Sequence, residues 1–267
     1  MTINLISDIH CLNKTLPEHF YFEKLKNADV LVIAGDIGTF VNRNKIIKLI
    51  ENKYIGKDKK FKHLVYCWGN HDYYVTDRWW MKNHSDLYCG PQSSDNHVNI
   101  INGVAFICSP MWSYIENNDL IARGVNDYVY IRGLTTKKST ELFETNAKWI
   151  LDMVELYKGQ GLKTVVVTHH LPHPETISLE YRHGDNSLLN EAFCVMKREY
   201  FNKFAECGCD LWLHGHSHQF NCTYIKSDNY NYHGTSVKCI RNPFGYDWCV
   251  CQEWPYTNFK YDYIIEI

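Results

Sequence analysis

The sequence predicts an α/β fold with its chemistry gathered at one rim of a sheet, and three observations carry that expectation. The chain opens in the order strand, helix, strand, helix, strand, the pattern of a parallel sheet covered by helices. Its strand-like runs are short, β-branched and aromatic, as buried strands are. The leading runs also pass directly into segments rich in Asp, His and Asn, and in open α/β sheets ligands bind where strands run into loops.

The first run, Ile3 to Ile6, is followed by Asp8-Ile9-His10. Leu16 to Asn27 has helical apolar spacing and precedes the second run, Val30 to Ala34, which ends in Gly35-Asp36-Ile37. Asn42 to Lys53 reads as the next helix, and the third run, Leu64 to Trp68, ends in Gly69-Asn70-His71-Asp72. Over 99–107 an Asn-Gly pair between two apolar runs marks a hairpin, which adds antiparallel strands. Ser139 to Tyr157 is a long helix whose buried stripe holds Leu142, Phe143, Ala147, Ile150, Leu151 and Val154, and Gly159 and Gly161 end it. The run Thr164 to Val167 leads to His169-His170, and Leu188 to Ala205 reads as a further helix. Leu211 to Leu213 precedes Gly215-His216-Ser217-His218, and the last third alternates like strands through Phe259 to Ile267.

A chain of 267 residues buries a large core, and with no linker, repeat or low-complexity segment it reads as a single domain over 1–267. The 45% hydrophobic and 22% charged composition is that of a globular protein and argues against extended disorder. A formal charge of −2 gives no field for non-specific binding to nucleic-acid backbones or acidic membranes, so neither is an expected partner; oligomeric state is not legible. The opening Met1-Thr2-Ile3-Asn4-Leu5-Ile6 is too short for a signal peptide, and no apolar run reaches about 18 residues, so a soluble, cytoplasmic protein is expected. Eleven scattered cysteines then read as reduced thiols. In Cys207-Gly208-Cys209 and Cys249-Val250-Cys251 one residue separates each pair, where structural zinc sites use about two to four, so buried thiols are expected there.

In an extended segment residues i and i+2 point the same way, so Asp8 and His10 can reach one ion together, as can His216 and His218. Adjacent residues diverge, so Asn70 can ligate while His71 stays free to meet a substrate. Two cations about 3.5–4 Å apart need a bridging carboxylate, and Asp36, between tight turns after a strand, suits that place. The set then divides into Asp8, His10, Asp36 and His218 around one ion and Asp36, Asn70, His169 and His216 around the other. With 14 histidines each cluster alone is weak; five together on strand ends are not an accident of composition.

These blocks resemble the calcineurin-like metallophosphoesterase superfamily, and Pro110-Met111-Trp112, Asn126-Asp127-Tyr128, Val167 to Pro172 and Asn242-Pro243-Phe244-Gly245-Tyr246 are similar to segments of bacterial single-domain members. The resemblance implies a β-sandwich of mixed sheets flanked by helices, with a dimetal site at the C-terminal ends of the strands. It implies that Asp8, His10, Asp36, Asn70, His169, His216 and His218 bind the metals while His71 assists the reaction. His170 is left to hydrogen-bond behind the ligands or to face substrate, and His214 to the core. The implied activity is hydrolysis of phosphodiester bonds, with phosphomonoesters also accepted, by attack of a dimetal-activated hydroxide; His71 supplies a proton to the leaving group and Asp72 orients its imidazole. Mixed carboxylate, amide and imidazole donors suit Mn, Fe or Zn better than Ca²⁺.

Protein serine/threonine phosphatases of this superfamily carry Asp-Arg-Gly in the second block and Glu after Asn-His. This chain has Gly35-Asp36-Ile37-Gly38-Thr39-Phe40 and Asn70-His71-Asp72 instead, which argues against that activity. Tyr73, Tyr74, Trp79, Trp80, Trp112, Tyr114, Tyr128 and Tyr181 lie near the blocks, enough to stack a base of a small, nucleotide-like phosphoester, with Arg182 and His183 as candidate phosphate contacts. Two other classes stay open: a metal-binding scaffold of the same fold, and a nuclease, although no basic track is evident.

Overall fold

The computed structural model describes residues 1–11, 20–75, 82–183, 185–229, 236–246 and 256–267. Among these residues ten strands form two mixed sheets. In the first, β1 (Thr2–Ile6), β2 (Ala28–Ala34) and β3 (Phe61–Cys67) run parallel in that order, and β10 (Ile264–Glu266) closes the β1 edge antiparallel. The second is ordered β4 (His97–Ile101), β5 (Val104–Ser109), β6 (Lys163–Thr168), β7 (Leu211–His214), β9 (Ser236–Arg241), β8 (Asn221–Lys226). Its β5, β6, β7 and β9 are parallel, and the edge strands β4 and β8 are antiparallel to their neighbours. The helices are α1 (Arg43–Tyr54), α2 (Asn118–Gly124), α3 (Asp127–Tyr130), α4 (Thr136–Gly159) and α5 (Arg198–Glu206).

Period-two alternation assigns each strand residue to a layer. Leu5, Val32 and Val65 of the first sheet meet Phe106, Val165 and Leu213 of the second in one buried cluster that fills the sandwich. The intervening residues face the helices: Leu31 and Ile33 pack with Ile46 and Ile50 of α1, whereas Ile107, Val166 and Trp212 pack with Phe143 and Ile150 of α4 and Phe204 of α5. The fold class implied by the resemblance is therefore the one observed.

Asn242 ties the sheets together where the apolar filling ends. Its Nδ2 donates to Leu5 O at 2.8 Å and to Lys260 O at 2.9 Å, and its own carbonyl accepts from Ser7 N–H at 3.2 Å. Beside it Arg241, fully buried, donates to Gln219 O, Thr176 O and Ser178 Oγ.

Four expected elements are corrected. Of Leu16 to Asn27, residues 16–19 lie outside the described residues, and the remainder holds only a 3-10 turn, Phe22–Lys24. Phe20 and Phe22 are both buried, against Phe244 and Tyr54, and no single helix face presents residues i and i+2 together. The helix expected over Leu188 to Ala205 breaks in the middle: Leu171 N–H donates to Phe193 O and Val195 N–H to Leu171 O, an extended pairing that separates a 3-10 stretch, Asp185–Ala192, from α5. Of Phe259 to Ile267, only Ile264–Glu266 pairs in a sheet. The long helix begins earlier than Ser139, at Thr136, because Thr135 caps it by accepting from Lys138 N–H.

No helix among the described residues is long and apolar enough to cross a membrane. Cys209 is buried and Cys207 partly so, with Cys207 Sγ donating to Phe204 O at 3.0 Å; the second pair, Cys249 and Cys251, lies outside the described residues, as do Trp79 and Trp80.

Phe106 sits at 0% exposure in the middle of the sandwich, so Phe106→Ala is expected to lower unfolding stability by about 3–5 kcal/mol. Urea denaturation checks this, and a loss below about 1 kcal/mol contradicts the packing described.

Candidate metal centre and active site

Past the ends of β1 and β2 the hydrogen bonding between the two strands continues into the loops. Asp8 N–H donates to Gly35 O at 3.1 Å, His10 N–H to Asp36 O at 2.9 Å and Cys11 N–H to Ile37 O at 2.9 Å. Asp8 (φ 54°), His10 (φ 51°), Asp36 (φ 54°) and His216 (φ 72°) all take left-handed backbone, which side-chain-bearing residues seldom adopt. The convergence of Asp8 and His10 is thus the work of a left-handed turn, which corrects the expectation of an extended segment.

The ligand-type atoms fall into overlapping groups whose members lie within 4.8 Å of one another: Asp8, His10 and His218; Asp36, His169 and His216; and His10, Asp36 and His71. His216 and His218 therefore sit in different groups. His218 Nε2 is 3.4 Å from Asp8 Oδ1 and His10 Nε2 is 3.1 Å from His218 Nε2. Asp36 Oδ2 lies between the groups, 3.4 Å from His169 Nε2 and 3.8 Å from His10 Nε2. Asn70 joins the second group through Oδ1, 2.9 Å from His169 Nε2.

This donor set fits cations. Among the described residues His216 Nε2 is buried without a hydrogen-bond partner, as a lone pair kept for a metal would be. Burial, with the neighbouring histidines, pushes the pKa values of His10 and His216 well below the ordinary imidazole value, so both rings are neutral donors. Burial opposes a charge on His169 as well, yet the Asp36 carboxylate, with Asp8 behind it, raises His169 to about 9.

The loops are stapled by carboxylates. Asp8 Oδ1 and Oδ2 accept His216 N–H at 3.0 and 3.1 Å, joining the two sheets' loops. Asp72 accepts Gly69 N–H at 2.8 Å and Asp36 N–H at 2.9 Å on Oδ2, and Gly38 N–H at 3.0 Å on Oδ1. Burial, with the Asp36 carboxylate nearby, raises Asp72 to about 7. Its oxygens thus serve the backbone of two loops, which corrects the expectation that Asp72 orients the His71 imidazole. His71 is held by other groups: its N–H donates to Asp36 Oδ1 at 2.8 Å, its ring stacks on Tyr74 at 4.2 Å, and its Nε2 lies 3.1 Å from the Tyr246 hydroxyl.

A cavity of about 640 Å³ opens over Asp36, Asn70, His71, His216 and His218. Its far wall is Val125, Leu171, Ile177, Leu189 and Phe193, and Tyr181, Tyr246 and Tyr256 also line it. Of the expected substrate contacts among the described residues, Tyr74 and Tyr181 belong to this lining. His170 is buried, with Nδ1 3.1 Å from Pro110 O and its ring 4.5 Å from that of His216, so it backs the cluster; burial, with His169 beside it, lowers its pKa to about 3. Trp112 is a core residue against Tyr73 and His170. Arg182 donates to Ile177 O and Glu175 O, bracing its own loop. His183 is exposed and His214 buried.

Asp127, Phe193 and Tyr246 are the residues that ligand spacing missed. Asp127 and Tyr246 were visible in the sequence only inside segments that carry the family resemblance. Phe193 carried no signal, since its ring reaches His216 (4.7 Å) through the break at Cys194.

Two mixed sheets with Asp, Asn and His converging at one rim define a metallophosphoesterase-type architecture. Residues 1–220 match the calcineurin-like phosphoesterase family, and the chain belongs to that family. Among solved structures, a dimetal phosphatase from Danio rerio is similar over 90% of this chain and 86% of that one, with 12% identity and a TM-score of 0.46. No curated protein matches the chain in sequence.

A Cβ on Gly69 would overlap the Asp36 carboxylate and crowd the His169 ring, and one on Gly35, itself at φ +84°, would overlap His169 Nδ1. Gly69→Ala is therefore expected to weaken Mn²⁺ binding by about tenfold or more, as when groups bearing on metal ligands are disturbed. Equilibrium dialysis checks this; wild-type affinity in the variant would show that the cradle yields.

Proposed function

We propose that this protein is a metal-dependent phosphoesterase that hydrolyses phosphodiester bonds, and phosphomonoesters as well, of a small nucleotide-like substrate, the chain 1–267 acting as one domain in the cytoplasm. The observation that carries it is the opening of one cavity onto both ligand groups. In this reading Asp8, His10, Asp36 and His218 hold one cation and Asp36, Asn70, His169 and His216 the other, with Mn, Fe or Zn suiting the donors. When bound, the cations supply positive charge to the phosphoryl oxygens and acidify a water for attack at neutral pH.

The chain's own residues do the rest. Asp36 faces both groups, so one carboxylate fixes their separation. His71 enters the cavity held between the Tyr74 ring and the Tyr246 hydroxyl, with Nε2 at the hydrogen-bonding edge; it passes a proton from that atom to the departing oxygen. Tyr246, at that same nitrogen, sets the ring's direction. Val125, Leu171, Ile177 and Phe193 give the far wall an apolar surface, which supports organic substituents on the phosphate, and the volume suits a ligand larger than a bare phosphate. Tyr181 and Tyr256 offer faces for a base. The nine described cysteines are all free thiols, which supports a reducing compartment.

Hydrolysis of bis-p-nitrophenyl phosphate that is lost on chelation and restored by Mn²⁺ is the expected result; a metal-loaded protein inert on a broad ester panel would favour the scaffold. His71→Asn is expected to lower kcat by about 10²–10⁴-fold for alkyl esters with poor leaving groups and far less for p-nitrophenyl esters. Equal losses on both would remove His71 from the leaving-group role.

A further inference from the structure

Asp127 opens α3, is 5% exposed and faces the cavity. Its Oδ1 accepts two hydrogen bonds, from Asn70 Nδ2 at 2.7 Å and from the Tyr74 hydroxyl. A primary amide has unlike ends: turned one way it offers a cation an oxygen, turned the other it offers N–H groups. With Nδ2 engaged by Asp127, Asn70 Oδ1 is left facing His169 Nε2 at 2.9 Å, within the ligand cluster. The Tyr74 ring, fixed through the same oxygen, stacks on His71 with an interplanar angle of 24°. Tyr130, at the other end of α3, packs on Tyr74 from a ring distance of 5.4 Å, so the short helix meets that ring twice.

We propose that Asp127 is a positioning residue, one carboxylate oxygen of which fixes the Asn70 amide with its oxygen toward a cation and holds the Tyr74 ring that braces His71. This rests on Asn70 being a metal ligand. Asp127→Leu removes the acceptor at similar size, whereas Asp127→Asn retains an oxygen able to accept both bonds.

The test is a calorimetric titration of the metal-stripped full chain with Mn²⁺. Expected for Asp127→Leu is a loss of about 10–100-fold in affinity for one of two equivalents, with the other equivalent and the metal-free Tm near wild type and Asp127→Asn within about threefold at both. Wild-type affinity at both equivalents in Asp127→Leu overturns the proposal, as does an equal loss at both together with a lowered Tm, which is the signature of a structural role. A wild-type chain that takes up fewer than two equivalents overturns the metal-ligand reading itself.

The wild-type chain gives a second measurement that needs no Asp127 variant to fold. The Asn70 side-chain amide protons, assigned by their absence in Asn70→Asp, are expected to be shifted downfield and slow to exchange. Solvent-like shifts and exchange overturn the proposal.

Discussion

The continuation of the β1–β2 hydrogen-bond ladder beyond the strands is the interaction on which the site rests. Ordinarily two loops leaving a sheet diverge; here Asp8, His10 and Cys11 keep donating to Gly35, Asp36 and Ile37, so the loops run on zipped together. That path forces Asp8, His10 and Asp36 into left-handed backbone, at a cost on the order of 1–3 kcal/mol each. The surrounding hydrogen bonds offset the cost, and the result is that two carboxylates and an imidazole from two strands point into one small volume.

Carboxylates complete what the ladder begins. Asp72 gathers N–H groups from the loops after β2 and β3, and Asp8 takes His216 N–H from the loop after β7, so three strand ends and both sheets share their donors. A sandwich is held by apolar contact only as far as its filling extends. At the rim polar staples take over, and Asn242, with hydrogen bonds to Leu5, Lys260 and Ser7, does the same on the far side of β1. The ligand cluster is thus built on rigid strand ends, while its cavity wall comes from the irregular segments around Val125 and Ile177.

The strands and the ligand blocks were legible because each depends on local chemistry: β-branched runs, then Asp, His or Asn at the point of exit. Asp8 and His10 do converge, although through left-handed turns and not extended alternation, whereas His216 and His218, which alternation put at one ion, fall into different groups. Features that depend on distant partners stayed hidden. Nothing local marks the pairing of Leu171 with Phe193 and Val195 that splits the expected helix at Cys194, nor α2 and α3, which are too short to show a period. Trp112 and His170 looked like cleft residues by proximity to the blocks, but the strand end at Pro110 turns both inward, where the carbonyl of Pro110 receives the backbone N–H groups of His169 and His170. Asp72 stands beside His71 in sequence, yet the 3-10 turn over His71–Tyr73 sends the carboxylate into the loop backbone and the imidazole into the cavity.

His10 and His218 touch across 208 positions of chain, and Asp8 meets His216 across the same separation. A centre assembled from segments so far apart in sequence relies on non-local contacts and closes only once both sheets have docked. During synthesis the N-terminal half emerges with Asp8, His10, Asp36 and Asn70 before His169, His216 and His218 exist, so it presents neither the Asp8–His10–His218 group nor the Asp36–His169–His216 group complete. On the proposed reading, cations would be held only once both sheets have docked, because neither group of ligand-type side chains is complete before then.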